Sequence, residues 1–328
     1  MKNEWYTYNH IIGEVWKMKV MLREKRFPSA TGLGDLRCRM WIPEDPHAAL
    51  QITHGMAEHI DRYHEFASFL AENGVLVYGF DAAGHGKSIG ENGIKGYFGK
   101  ENGWDALVQD MRTLRDLVAQ DNPAIPLILM GHSMGSFLAR TYAGRDGNDF
   151  DAFIFSGTAG RNPVLPIGKW LARREIKKTG GALPSQRLYQ MSFGSYNKAF
   201  KPNRTECDWL SRDEAQVDRY VADELCGFPF TACAMLDVFN GLGEVSGEHW
   251  AARVPKKPIL MISGDCDPVG NKGKGVRQVA GWLKKTGHET ELKLYPGARH
   301  EVLNETNRDE VYRDILLFID AVEAMGEL

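Results

Sequence analysis

Six short apolar runs, each closed by turn or polar residues and separated by longer amphipathic stretches, restrict this chain to a fold in which strands and helices alternate. The runs occupy 48–53 (AALQIT), 75–80 (VLVYGF), 126–130 (PLILM), 152–156 (AFIFS), 259–263 (ILMIS) and 291–295 (ELKLY). A half-exposed strand would alternate polar and apolar residues, so runs this short and continuous suit parallel strands covered on both faces. The segments 63–73, 104–120, 134–145, 275–285 and 308–325 place apolar residues three and four apart, the helical period. This order predicts an α/β fold, with a mostly parallel central sheet flanked by helices. Looser alternation over 27–43 predicts antiparallel strands at the start of the sheet.

The rhythm fails between 161 and 254, where helical fragments at 170–174 and 211–220 are joined by loops without a clear buried strand. A structureless connection of that length is out of place in a compact domain. The stretch therefore predicts a helical cap or lid insertion over 161–254, dividing the core into 1–160 and 255–328. A chain of 328 residues can bury enough surface to need no disulfide or metal staple. Its five cysteines are scattered, without a C-x-x-C pair, and read as free thiols in a reducing, cytoplasmic compartment. No apolar run is long enough to cross a bilayer, and polar residues interrupt the first twenty positions throughout, so neither a membrane span nor a signal peptide is expected. Forty basic against 43 acidic side chains argue against a nucleic-acid partner.

The strongest chemical signal is Gly131-His132-Ser133-Met134-Gly135, between the run at 126–130 and a helical pattern. The G-x-S-x-G pattern is weak alone, but a sharp strand-to-helix turn needs small neighbours around a serine whose hydroxyl is to stand clear of the sheet. The following helix turns its N-terminal N–H groups and dipole toward that serine. A serine hydroxyl attacks only when a base takes its proton, and the base needs a carboxylate to orient it. Two later runs supply such groups: 259–263 leads into Gly264-Asp265-Cys266-Asp267-Pro268, and 291–295 leads into Pro296-Gly297-Ala298-Arg299-His300. Both fall at the carboxyl ends of strands, where α/β sheets place their sites. The run at 48–53 opens into His54-Gly55-Met56-Ala57-Glu58-His59, and the amides of Met56 and Met134 are the candidate oxyanion donors.

Other patterns carry less. Asp265 and Asp267 form a D-x-D pair without a third ligand at metal spacing, so no metal or cofactor is expected. His54 and His59 read as structural hydrogen-bonding residues. H-E-x-x-H is absent, since Ser68 follows His64-Glu65 where a histidine would be needed. The glycines at 241–247 and 273–275 match neither a dinucleotide nor a phosphate loop.

Taken together, His54-Gly-Met-Ala-Glu-His-x-x-Arg62-Tyr63, Asp81-Ala-Ala-Gly84-His85-Gly86-Lys-Ser88, Gly131-His-Ser-Met-Gly135, Gly264-Asp-Cys-Asp267 and Pro296-Gly-Ala-Arg-His300 resemble the α/β-hydrolase superfamily. Within it the chain is most similar to the monoacylglycerol lipase and lysophospholipase-like (serine aminopeptidase-like) branch, over roughly 27–323. The resemblance implies an α/β-hydrolase fold and a cofactor-independent serine esterase or lipase acting on a small-molecule ester or lysolipid. It implies Ser133 as nucleophile, Asp267 as the orienting acid, His300 as general base, and Met56 and Met134 as oxyanion donors. Asp81, His85 and Ser88 match a loop-forming motif of that family. The insertion is longer and more polar than the short apolar lids of lipases that work at oil–water surfaces, which leaves transient contact with a membrane or lipid surface open. Trp170, Leu171, Phe193, Tyr196, Phe228, Phe230, Met235, Leu236 and Phe239 are candidates either for an acyl pocket or for the insertion's own core. The rival functions are thioester, amide or aryl-ester hydrolysis on the same fold, and ligand binding without catalysis. Oligomeric state is not readable from these residues.

Overall fold

The computed structural model describes residues 4–6, 19–90 and 93–326, and most of the opening stretch read as lacking a signal peptide lies outside them. Among the described residues nine strands form one sheet: β1 (Glu4–Tyr6), β2 (Val20–Pro28), β3 (Asp35–Pro43), β4 (Ala48–Thr53), β5 (Val75–Phe80), β6 (Leu127–His132), β7 (Ala152–Ser156), β8 (Ile259–Gly264) and β9 (Thr290–Tyr295). Their spatial order is β1-β2-β3-β5-β4-β6-β7-β8-β9. The three pairings from β1 to β5 are antiparallel, and every pairing from β5 through β9 is parallel.

Strand periodicity divides the side chains between two cores. Leu50, Ile52, Val75, Val77, Ile128, Met130, Ile154, Leu260 and Ile262 face α1 (His64–Glu72) and α10 (Arg308–Gly326). Their neighbours in the chain, including Ala49, Leu76, Leu129, Phe153 and Met261, face α2 (Gly103–Asp121), α3 (Met134–Asp146) and α9 (Lys274–Lys285). Both faces of β4 to β8 are thus sealed, which is why those strands read as continuous apolar runs.

Three expectations are corrected. The first hairpin begins at Val20 rather than near 27, since β2 pairs with β3 from Val20↔Pro43 to Pro28↔Asp35. Glu24, Lys25 and Arg26 hid it because they are exposed at the sheet's margin. The run read as 126–130 is strand from Leu127, and it continues through Gly131 and His132, which pair with Thr53 and Ser156 on the two sides. β9 is not covered on both faces: it is an edge strand, half-exposed for most of its length.

Between β7 and β8 the chain forms α4 (Leu165–Thr179), α5 (Gln186–Phe193), α6 (Glu214–Ala222), α7 (Ala232–Glu244) and α8 (Glu248–Ala251). Helix α7 packs on α4 on one side and on α2 and α3 on the other. A Cβ on Gly241 would come within 2.1 Å of the Trp104 ring, so α7 needs glycine there to lie this close to α2.

Candidate active site

Strand β6 delivers Ser133 with no intervening loop. The serine has φ +53° and ψ −120°, a conformation that side-chain-bearing residues rarely adopt, and the surrounding hydrogen bonds hold it there. Its N–H donates to Ser156 O at 3.0 Å, and its carbonyl accepts from Ser136 N–H at 2.9 Å and Ser136 Oγ at 2.6 Å. Flanking glycines are needed for close approach: a Cβ on Gly131 would sit 2.2 Å from Gly135 O, and one on Gly135 would sit 2.1 Å from Thr53 O. Helix α3 therefore starts jammed against the ends of β4 and β6. Met134 is its first residue, where a helical N–H has no intrahelical acceptor.

The carboxylate and imidazole come from the next two strands. A Cβ on Gly264 would lie 2.0 Å from Ala298 O and 2.2 Å from Arg299 O, so the loop after β9 can cross the end of β8 only over a glycine. That crossing sets His300 Nδ1 3.0 Å from Asp267 Oδ2. Both residues are buried. Asp267 also accepts from Val269 N–H at 2.8 Å and from Ser263 Oγ at 3.2 Å, which leaves His300 Nδ1–H as donor and Nε2 free to act as base. Burial alone would push the imidazole's pKa down, but the Asp267 charge and hydrogen bond, helped by Glu301 and Glu58, outweigh it and leave it raised. Asp265 is turned elsewhere: it accepts the Gly297 N–H at 2.7 Å.

Ser133, Met56 and His300 share the wall of one small cavity, with Trp209 and Tyr220 of the insertion opposite. A larger cavity of about 580 Å³ adjoins, lined by Met56, Ser133 and Met134 on the core side and by Met191, Phe193, Tyr196, Met235, Phe239 and Leu242 on the insertion side. The nine insertion residues singled out in the sequence thus divide. Phe193, Tyr196, Met235 and Phe239 line the cavity, Phe228 and Phe230 pack around His85, Leu171 and Leu236 pack on the core, and Trp170 is exposed.

The other motif residues are structural. His54 Nε2 accepts the Ala82 N–H at 3.0 Å. His59 Nε2 meets Asp223 Oδ2 at 2.8 Å, which ties the Met56 loop to the insertion. Asp81 accepts from Ile60 and Lys87 N–H, both at 2.9 Å, and Ser88 Oγ from Arg37 N–H at 2.7 Å. His85 Nε2 accepts the Ala57 N–H at 3.4 Å, and burial drives its pKa down to about 3, so it stays a neutral acceptor.

One buried network is missing from the sequence reading. Arg62 bridges Glu58 (2.6 Å) and Glu301 (2.7 and 2.6 Å), while Glu58 also accepts from Tyr63 Oη at 2.9 Å and from the Gly55 N–H. Glu58 is buried, which alone would raise its pKa, but Arg62 and the nearby histidines hold it down at about 2. The network fixes the loop of Met56 from below and the residue after His300 from the side. Its only local sign is Glu58 and Arg62 four residues apart. His132, whose ring centre lies 4.7 Å from that of His300 with the planes tilted by 44°, is held neutral by burial and by that neighbour, with its pKa at about 4. The Trp209 ring also packs against His300, with ring centres 5.1 Å apart.

Among the described residues no helix is long and apolar enough to cross a membrane. A family model described as serine aminopeptidase, S33, matches residues 44–307. The chain is 30% identical over 302 residues to a monoacylglycerol lipase of Mycolicibacterium smegmatis, covering 89% of this chain and 95% of that one. It is 29% identical over 295 residues to the monoglyceride lipase of Homo sapiens, covering 87% and 86%. A crystal structure of a thermostable carboxyl esterase from Bacillus coagulans, in complex with glycerol, superposes with a TM-score of 0.88 at 32% identity, covering 92% of this chain and 99% of that one.

Proposed function

The chain belongs to the serine aminopeptidase S33 family of α/β-hydrolases and is a carboxylic-ester hydrolase, and on that premise we propose that it cleaves monoacylglycerol-like or lysolipid esters through an acyl-enzyme at Ser133. The observation that carries this reading is the strained Ser133 elbow, sharing a cavity wall with a His300 whose far nitrogen is held by buried Asp267.

In this mechanism His300 Nε2 takes the Ser133 proton as Oγ attacks the ester carbonyl carbon. The carbonyl oxygen becomes an oxyanion, held by the N–H groups of Met56 and Met134, each worth about 3 kcal/mol in the transition state. His300 then gives its proton to the departing alkoxide, the C–O bond breaks, and the acyl group stays on Ser133. Water, deprotonated by the same imidazole, attacks the acyl carbon and releases the carboxylic acid and the free serine. Asp267 keeps Nδ1 protonated throughout and stabilises the imidazolium between the two proton transfers.

The insertion over 161–254 acts as a lid that furnishes the acyl pocket. Support comes from the adjoining cavity of about 580 Å³, whose insertion side includes Leu165, Met191, Phe193, Met235, Phe239 and Leu242. Five free cysteines are in keeping with a cytoplasmic setting. The test is labelling by a fluorophosphonate, combined with turnover of chromogenic esters and matched amides. Wild-type protein should label once per chain and prefer esters, and Ser133→Ala should lose both labelling and several orders of magnitude in kcat. An alanine variant that keeps a tenth of the wild-type turnover would refute the assignment of the nucleophile.

A further inference from the structure

The chain as a whole has more acidic than basic side chains, yet among the described residues the lining of the large cavity beside Ser133 holds no Asp or Glu and two cations, Arg161 and Lys274. Backbone packing brings the two segments that carry them together. A Cβ on Gly160 would lie 2.9 Å from Gly275 Cα, and one on Gly275 would lie 2.8 Å from Gly160 N, so the loop after β7 and the first turn of α9 touch through glycine. Gln278 Oε1 accepts the Arg161 N–H at 2.8 Å and pins the same contact. Among the described residues neither cation has a carboxylate partner, whereas arginines such as Arg145, Arg204 and Arg212 do. Both side chains are exposed at the rim, and the N-terminus of α9, which begins at Lys274, adds its positive end.

A neutral glycerol ester would fill the apolar wall and leave both charges unused. Resting on the ester-hydrolase reading above, we propose that the preferred substrate is an acyl ester whose alcohol part carries a fixed anionic oxygen group, a phosphate monoester or a carboxylate, received by Arg161 and Lys274. The acyl chain lies along the Met191, Val238 and Phe239 wall. Because the two cations are solvated, they act on capture more than on the bond-breaking step, and their effect falls as salt rises.

The test compares kcat/KM for 1-decanoylglycerol 3-phosphate, decanoyl glycerate and neutral 1-decanoylglycerol, each below its aggregation threshold. Wild-type protein should favour at least one anionic ester over the neutral one by about tenfold at low salt, and by much less at 0.5 M NaCl. The two anionic arms distinguish phosphate from carboxylate. Arg161→Gln with Lys274→Gln should erase the ratio, mainly through KM, and Arg161→Lys with Lys274→Arg should restore most of it. If wild-type protein labels with fluorophosphonate but shows no anionic preference, or if the glutamine variant keeps the preference, the proposal is overturned while the hydrolase reading stands. If Ser133 does not label and no ester is cleaved, both fall.

Discussion

Replacing Asp267 with Asn tests whether the buried carboxylate orients the base. Asp267 Oδ1 accepts the Val269 N–H at 2.8 Å, and Oδ2 faces His300 Nδ1 at 3.0 Å. An amide at this position keeps its oxygen on the Val269 N–H, so its NH₂ must face His300. Two donors cannot share that contact, so the imidazole moves its proton to Nε2 and presents N–H, not a lone pair, toward Ser133. The expected loss in kcat is about 10⁴, equivalent to about 5 kcal/mol of transition-state stabilisation. Asp265→Asn is the control. Its contact is the Gly297 N–H at 2.7 Å, which an amide oxygen can still accept, so its loss should stay within about threefold. Initial rates on one chromogenic ester, with circular-dichroism melts to check folding, measure both. A folded Asp267→Asn protein retaining a tenth of wild-type kcat, or an Asp265→Asn protein more damaged than Asp267→Asn, would refute the reasoning.

Activity should rise with pH as His300 loses its proton, with an apparent pKa above the imidazole's ordinary 6.5; because the Asp267 charge and hydrogen bond supply most of the upward shift, the residual activity of Asp267→Asn should titrate lower. Glu58 has a folded pKa near 2 against an ordinary 4.5, so it contributes stability that is present above pH 4.5 and lost as the pH falls toward 2. Glu58→Gln should cost about 3 kcal/mol at neutral pH and flatten the acid limb of the stability curve, as followed by urea melts; an unchanged limb would count against the charged network. Met235→Trp, which fills the cavity wall, should lower kcat/KM for long-chain esters about tenfold or more while an acetate ester changes little. Equal losses for both would argue that the acyl chain lies elsewhere.

The parallel strands were legible because a strand sealed on both faces has to be apolar along its length, and β4, β5 and β7 fall at their expected limits. Charged β2 and half-exposed β9 departed from expectation for the same reason: margin strands meet solvent, so burial does not control their composition. The candidate site was legible at Ser133, Asp267 and His300 because glycines mark the places where backbone must approach backbone, at 131, 135 and 264. The Arg62 to Glu301 bridge was not legible, since its partners lie 239 residues apart and each charge alone reads as a surface residue. Nor was the sorting of the insertion's aromatics, because lining a cavity and filling a core make the same demand on composition.

The ties between the insertion and the core limit what can be exchanged between relatives of this chain. Gly227 N–H and Tyr220 Oη both donate to Ala57 O, next to Met56, at 3.0 and 3.2 Å. The carbonyls of Trp209 and Leu210 accept the N–H groups of His300 and Glu301 at 3.4 and 2.8 Å. Residues 209–227 are therefore as much a part of the reaction centre's scaffold as β6 is. A chimera that transplants all of 161–254 as a cassette brings foreign backbone to the oxyanion loop and to the base at once. The stretch from α4 through α5 has a largely exposed outer face, with Val164, Ile167 and Trp170 each more than half accessible. A graft confined to 164–193 changes the acyl wall and leaves those anchoring bonds with their own partners.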